Sequence, residues 1–257
     1  MTPDVVGLVV LGVLGLLIGS FLNVCIYRLP RDLSVVSPGS RCPACERPLR
    51  WYHNIPVVSW LALGRRCGYC RAPIHWRYPV VEALNAALYV LHGVTFDWDA
   101  LLLVRLAFAS ALVVLFFTDL DCRILPNEIT VGGTVAGLVV ATMVPPGIGS
   151  SVLGVLLGGG VLWGTGALYE RVRGVEGMGM GDVKMLAMVG AVLGWPLMLL
   201  TLVLSSIVGG LFGVVLLLLH ADARSTALPF GSFLAPAALA ASVVGQPVLD
   251  WYLGFYR

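Results

Sequence analysis

The chain has 257 residues, of which 58% are hydrophobic and only 12% charged. A soluble domain carries roughly 25% charged residues, so this composition excludes an ordinary soluble globule, a disordered chain and a nucleic-acid binder that works through a basic surface. What remains is an integral protein of the lipid bilayer, and the net charge of +2 says little until the charges are placed along the chain.

The apolar segments are continuous runs rather than short alternating stretches, so they point to helical crossings and not to a barrel. The first run covers residues 5–27. It has an acid near its start, no basic flank before it and no small-residue cleavage site after it, so it reads as a retained helix rather than a signal peptide. A polar insertion follows at 29–78, and seven further runs lie near 79–96, 100–118, 129–147, 150–170, 183–199, 200–220 and 227–245. The expected fold is an all-α polytopic membrane protein of about eight transmembrane helices with a small zinc-ribbon-like insertion. Three pieces are expected: a first helix at 1–28, the insertion at 29–78, and a membrane domain at 79–257.

Lys and Arg orient the runs. Nine of the sixteen lie between Arg28 and Arg77. With eight crossings, Arg123, Arg171, Arg173, Lys184 and Arg224 fall on the same side, which makes that side cytoplasmic and places both termini outside.

The insertion carries Cys42-Pro-Ala-Cys45 and Cys67-Gly-Tyr-Cys70. Thiolates three positions apart in a tight turn share one metal ion, and two such turns complete a tetrahedral sulfur site, for which zinc is the expected metal. So short a segment has little core of its own, and a metal would supply much of its folding energy. Paired disulfides and an iron–sulfur site are the other readings; a reducing cytoplasm argues against the disulfides. His53 and His75 could assist, although four sulfurs already saturate the site. Cys25 and Cys122 read as small packed residues.

Acids at membrane depth are costly and often functional. Asp119 and Asp121 close the third run, and Asp182 follows Gly177-Met178-Gly179-Met180-Gly181 at the start of the sixth. The topology puts both segments at one membrane face. Two carboxylates brought together do not both ionise easily, so one keeps a proton while the other acts as a base toward water, a combination that hydrolyses a peptide bond without metal. The plainer reading puts Asp119 and Asp121 at a water interface and makes Asp182 a helix cap. Asp119 and Asp121, two residues apart, point to nearly opposite helix faces, so only one can face Asp182. Gly179 and Gly181 let backbone approach closely, and Gly158 to Gly160, Gly164, Gly209 and Gly210 read as helix-packing positions. A proton- or ion-coupled transporter would also use intramembrane acids, and a membrane scaffold would use the insertion as an interaction module.

Together these residues resemble the type IV prepilin peptidases, membrane aspartic proteases that also act as N-methyltransferases. The resemblance rests on Gly19-Ser20-Phe21-Leu22-Asn23-Val24, Tyr27-Arg28-Leu29-Pro30, both Cys pairs, Asn54-Ile55-Pro56-Val57-Val58-Ser59-Trp60 and Arg77-Tyr78-Pro79-Val80-Val81-Glu82. It continues through Asp119 to Asn127 and the G-x-G-D of Gly179 to Asp182. It implies Asp182 and Asp119 as the catalytic pair, the latter because it stands seven residues before Pro126. It also implies a bacterial inner-membrane location, short basic leaders of prepilins and pseudopilins as substrates, and S-adenosylmethionine as methyl donor. Cleavage would take place at the cytoplasmic face, followed by N-methylation of the new terminus. Glu128, Glu170 and Glu176 are candidates to attract a basic leader. Asn23, Arg28, Pro30, Arg77 and Glu82 are implied in methyl transfer without assigned roles, and no glycine-rich cofactor loop accompanies them. The family often has Gly two residues before the third Cys, where this chain has Arg65, with Gly64 displaced by one position.

Overall fold

The computed structural model describes residues 4–174, 179–219 and 229–255. Glu176, Gly177, Met178 and Arg224 lie outside the described residues. The chain divides into two compact units, Met1–Val114 and Leu115–Arg257.

In the first unit, helix α1 (Val5–Arg28) is apolar along nearly its whole length, and Asp4 caps it by accepting the Val6 N–H at 3.2 Å. A short 3-10 turn, Leu29–Arg31, follows at Pro30. Helix α3 (Arg77–Thr95) runs antiparallel to α1. Glycines allow the close approach: a Cβ on Gly15 would lie 2.6 Å from the Ala86 Cα, and one on Gly19 would lie 2.7 Å from the Glu82 Cα. Asn85 is fully buried at this contact and is paired on both ends of its amide, as burial demands. Asn85 Nδ2 donates to Gly15 O at 2.9 Å, and Asn85 Oδ1 accepts from Ser110 Oγ at 2.9 Å. Ser110, on helix α4 (Ala100–Cys122), also meets the Tyr89 hydroxyl at 3.0 Å. Leu11, Tyr89, Leu102 and Leu106 form the apolar core around this network.

The insertion contains one short helix, α2 (Val58–Ala62), and two knuckles built alike. Arg41 bridges to Pro48 in the first, and Arg66 to Pro73 in the second. Cys42 N–H donates to Arg47 O and Cys67 N–H to Ala72 O. Glu46 (φ 55°) and Arg71 (φ 62°), each four residues past the first Cys of its knuckle, both take the left-handed conformation. The segment is thus a structural repeat, which the two identical Cys spacings announce.

In the second unit, α5 (Asn127–Val140), α6 (Ile148–Arg173) and α8 (Gly231–Gly254) pack on α7 (Met180–Leu219). At about 1.5 Å per residue, a run of this length is roughly twice the bilayer's hydrocarbon thickness. Gly194 (φ 77°, ψ 169°) breaks it into 180–193 and 195–219. Pro196 stands in the first turn of the second length, where its missing N–H costs no helical bond. The first length packs on α6 through Gly190 against Gly154 and Leu186 against Gly158, and on α5 through Met188 against Gly133. The second packs on α8 through Gly209 against Phe233 and Leu197 against Gly245.

The all-helical architecture is as expected, but the number of crossings needs correction. Among the described residues five helices, α1, α4, α6, α7 and α8, are long and apolar enough to cross a bilayer. Helix α5 has 14 residues where a crossing needs about 20. Helix α3 is less apolar, with Glu82, Asn85 and His92 buried along it. The crossings expected at 183–199 and 200–220 form one run whose break falls at Gly194.

Candidate active site

Asp119 and Asp182 come together in the second unit. Asp119 lies in the last turn of α4 and is 5% exposed, whereas Asp121, on the other face, is open to solvent. The helix stops at Cys122; Arg123 takes a left-handed turn (φ 55°) and donates its N–H to Asp119 O at 2.9 Å. Leu125 and Pro126 then turn inward and are buried. Asp182, in the first turn of α7, is half-buried. Its carboxylate is near enough to Asp119 for the two charges to act on each other. Of the two acids that the sequence leaves in competition, Asp119 is therefore the one beside Asp182.

The start of α8 completes this site. Asp119 Oδ2 accepts from the Ser232 N–H at 2.6 Å and from the Ser232 Oγ at 2.9 Å, and the Gly231 N–H faces Asp182. Gly231 sits tight against this pair: a Cβ there would lie 3.0 Å from Asp119 Oδ2, so a larger residue would push on the carboxylate. Likewise a Cβ on Gly181 would stand 3.2 Å from the Leu125 side chain, so glycine lets α7 start close against Leu125. Lys184 Nζ donates to Asn127 Oδ1 at 2.9 Å and ties the start of α7 to that of α5. Sequence reasoning missed Gly231 and Ser232, since nothing local marks a serine 113 residues from its partner. Two neighbouring carboxylates, one of them held by two donors, can take a proton from water and give one to a carbonyl oxygen. Glu128 and Glu170 are exposed in the first turn of α5 and the last turn of α6.

In the first unit, Cys42, Cys45, Cys67 and Cys70 place their sulfurs within 4.8 Å of one another. Cys42 and Cys70 sulfurs are 3.8 Å apart. A tetrahedral site with zinc–sulfur bonds of about 2.3 Å separates its sulfurs by about 3.8 Å, so the donor set fits a metal ion of that kind. Backbone N–H groups of Cys70 and Tyr69 lower the Cys67 thiol to about 7 and favour its thiolate, whereas Cys70, although the Ala72 N–H lowers it, is raised to about 11 by desolvation and by the neighbouring thiols. All six cysteines are free thiols. The His75 Nδ1 accepts the Arg77 N–H at 3.1 Å, and the His53 ring packs edge-on against Tyr52 and Tyr69, so neither histidine joins the sulfur cluster.

The other residues singled out in the first unit separate by role. The Arg28 guanidinium donates to Ser34 O at 2.8 Å and Pro38 O at 2.7 Å and holds the loop after α1. Glu82 is buried and its Oε2 accepts the Val57 N–H at 2.7 Å. Val57 (φ 59°, ψ −49°) is the centre of a γ-turn closed by Val58 N–H to Pro56 O, a strained conformation for a β-branched residue. Asn23 Nδ2 donates to Tyr78 O at 3.0 Å, while its buried Oδ1 has no partner among the described residues. Gly64 and Arg65 both have positive φ, 61° and 64°, so the displaced glycine serves only the first of two left-handed positions. The Arg65 guanidinium stacks over Trp60 at 5.1 Å.

Residues 13–96 match the bacterial peptidase A24 N-terminal domain, and residues 106–214 match the type IV leader peptidase family. The chain is 38% identical to a prepilin leader peptidase/N-methyltransferase of Aeromonas salmonicida over 93% of this chain and 91% of that protein. It is 36% identical to a protein of the same name from Stutzerimonas stutzeri, with 95% and 93% of the two chains covered. A Myxococcus xanthus protein of that name is 43% identical over 82% of this chain and 63% of its own length. No solved structure matches.

Proposed function

Since this chain belongs to the type IV leader peptidase family, we propose that it removes the leader of prepilins and pseudopilins and then methylates the new N-terminal amine. The observation that carries the peptidase half is the meeting of Asp119 and Asp182, from separate helices, at the start of α8, where Ser232 donates twice to Asp119 and the Gly231 N–H faces Asp182. In this reading one carboxylate takes a proton from water while the other donates to the scissile carbonyl. In this reading the insertion, with nine of the sixteen Lys and Arg in and beside it, lies on the cytoplasmic side, where a short basic leader meets the bilayer. The exposed Glu128 and Glu170 would favour such a leader electrostatically.

The four cysteines would hold zinc as a structural ion for the insertion at 29–78. Methyl transfer is assigned to the first unit, and S-adenosylmethionine supplies a methyl group on a sulfonium when bound. Asn23 and Glu82 support this assignment. Gly19 presses on Glu82, and Asn23, one turn further along α1, bonds to Tyr78, one turn earlier on α3. A buried carboxylate and an unpartnered amide oxygen one turn apart suit an amine donor.

The test uses the purified full chain in detergent with a substrate that has a basic leader and an apolar helix, together with methyl-labelled S-adenosylmethionine. The expected result is a shortened product that acquires label only after cleavage. An intact substrate would refute the peptidase assignment, and an unlabelled product would leave a peptidase alone.

A further inference from the structure

We infer that Ser232 is the positioning residue that makes Asp119 the water-activating member of the pair and leaves Asp182 as the proton donor. The inference rests on the reading of Asp119 and Asp182 as the reacting pair. It starts from the free donors of a helix end. The first N–H groups of any helix lack intrahelical acceptors. At α8 the preceding residue, Phe230, offers no side-chain cap, yet its carbonyl accepts from Phe233 N–H at 2.9 Å and Leu234 N–H at 3.0 Å. The donors left over are those of Gly231 and Ser232. Each is aimed at one of the aspartates, Gly231 at Asp182 and Ser232 at Asp119.

The arrangement is unequal, and the hydroxyl makes it so. A serine at a helix start ordinarily bonds a nearby backbone N–H of its own helix. Ser232 Oγ instead reaches across 113 residues to Asp119 Oδ2, the oxygen that already takes the Ser232 N–H. Two donors on one oxygen hold negative charge there and leave Oδ1 for water. The charged groups that act on Asp119 are Arg123, just beyond the end of α4, and Asp182 on α7; α8 contributes only the neutral donors of Ser232. Arg123 reinforces the same assignment, and Asp182 fits beside an anionic Asp119 when it carries the proton.

The chemistry then runs in one sense. Asp119 Oδ1 takes a proton from water as the water oxygen bonds to the scissile carbon. Asp182 gives its proton to the carbonyl oxygen as the C=O double bond opens. The C–N bond then breaks, the leaving nitrogen takes the proton held by Asp119, and Asp182 recovers its own from the collapsing hydroxyl. One water is consumed and both carboxylates return to their starting states.

The test compares Ser232→Ala and Ser232→Thr in the full chain in lipid nanodiscs, with leader cleavage measured against substrate concentration. The loss of one charge-assisted hydrogen bond is expected to lower kcat by about 10- to 100-fold. KM should stay unchanged and Thr should restore most of the rate. Ser242→Ala, which removes a hydroxyl bonded within α8 to Leu239 O, should keep the wild-type rate. A wild-type kcat in Ser232→Ala, a loss confined to KM, or a Thr variant as impaired as Ala would overturn the inference. A second measurement holds even where Ser232→Ala does not fold. Infrared difference spectra of protein labelled with carboxyl-13C aspartate should lose a protonated-carboxyl band in Asp182→Asn and keep it in Asp119→Asn; the reverse overturns the assignment. Cleavage by Asp119→Asn itself would instead defeat the reading of the pair.

Discussion

The contact between α6 and α7 offers a clean physical test, because one substitution in two settings should have different outcomes. A Cβ on Gly190 falls on the backbone of Gly154, an obstacle that no side-chain rotation relieves. A Cβ on Gly160, also in α6, meets nothing within 4 Å. Both glycines are helix-interior, so Gly→Ala brings the same gain of about 1 kcal/mol in helix propensity at each site. That gain cancels in the comparison, and what remains is the cost of forcing two helices apart, about 1–3 kcal/mol for overpacking. For a chain of this size each kcal/mol moves the unfolding midpoint by about 2–4 °C. Gly190→Ala should therefore unfold about 2–12 °C below Gly160→Ala in matched detergent at one scan rate. Asp182 lies eight residues before Gly190 on the same helical run, about 12 Å along it. The displacement should thus lower leader cleavage in Gly190→Ala and spare it in Gly160→Ala. Equal midpoints would refute the claim that backbone contact at glycine sets this interface.

Three further outcomes follow from other parts of the molecule. Metal analysis of the purified chain should find about one zinc per molecule, and Cys42→Ser should lose it and expose the insertion to protease; full zinc content in that variant would remove the four-sulfur site. Glu82→Ala strands the Val57 N–H and should cost about 1–3 kcal/mol, whereas Glu82→Gln, which keeps an acceptor, should cost less; equal unfolding midpoints for the two would deny Glu82 its role in holding the γ-turn. Gly194→Ala adds a Cβ at φ 77° and 2.5 Å from Ser150 Oγ. It should destabilise the chain by about 1–3 kcal/mol, and a midpoint equal to wild type would place the break in α7 elsewhere.

Local chemistry was legible in the sequence, and distant partnership was not. The knuckles are readable because a C-x2-C turn contains its own ligands, and two copies imply a shared ion. The choice of Asp119 over Asp121 is open to helix periodicity, which says that only one can face inward. The resemblance then implies which, and the structure buries Asp119 and leaves Asp121 in solvent. Ser232 was missed because its hydroxyl ignores its own helix, and no spacing rule links it to α4. The break in α7 had a signal in Gly194-Trp195-Pro196, but an apolar run divided by length alone places it after residue 199. The excess of expected crossings has the same cause: apolar content sees α3 and α5 as equal to α1, while the structure gives α5 14 residues and buries polar groups along α3.

The central claim is that Asp119 and Asp182 form one reacting pair from which Asp121 is excluded. The rate of leader cleavage by Asp119→Asn, Asp182→Asn and Asp121→Asn, each folded and at equal concentration in the same lipid, tests it most directly. The expected result is no measurable cleavage in the first two variants and measurable cleavage in the third. Full activity in either of the first two, or an Asp121→Asn variant that alone is dead, would contradict it.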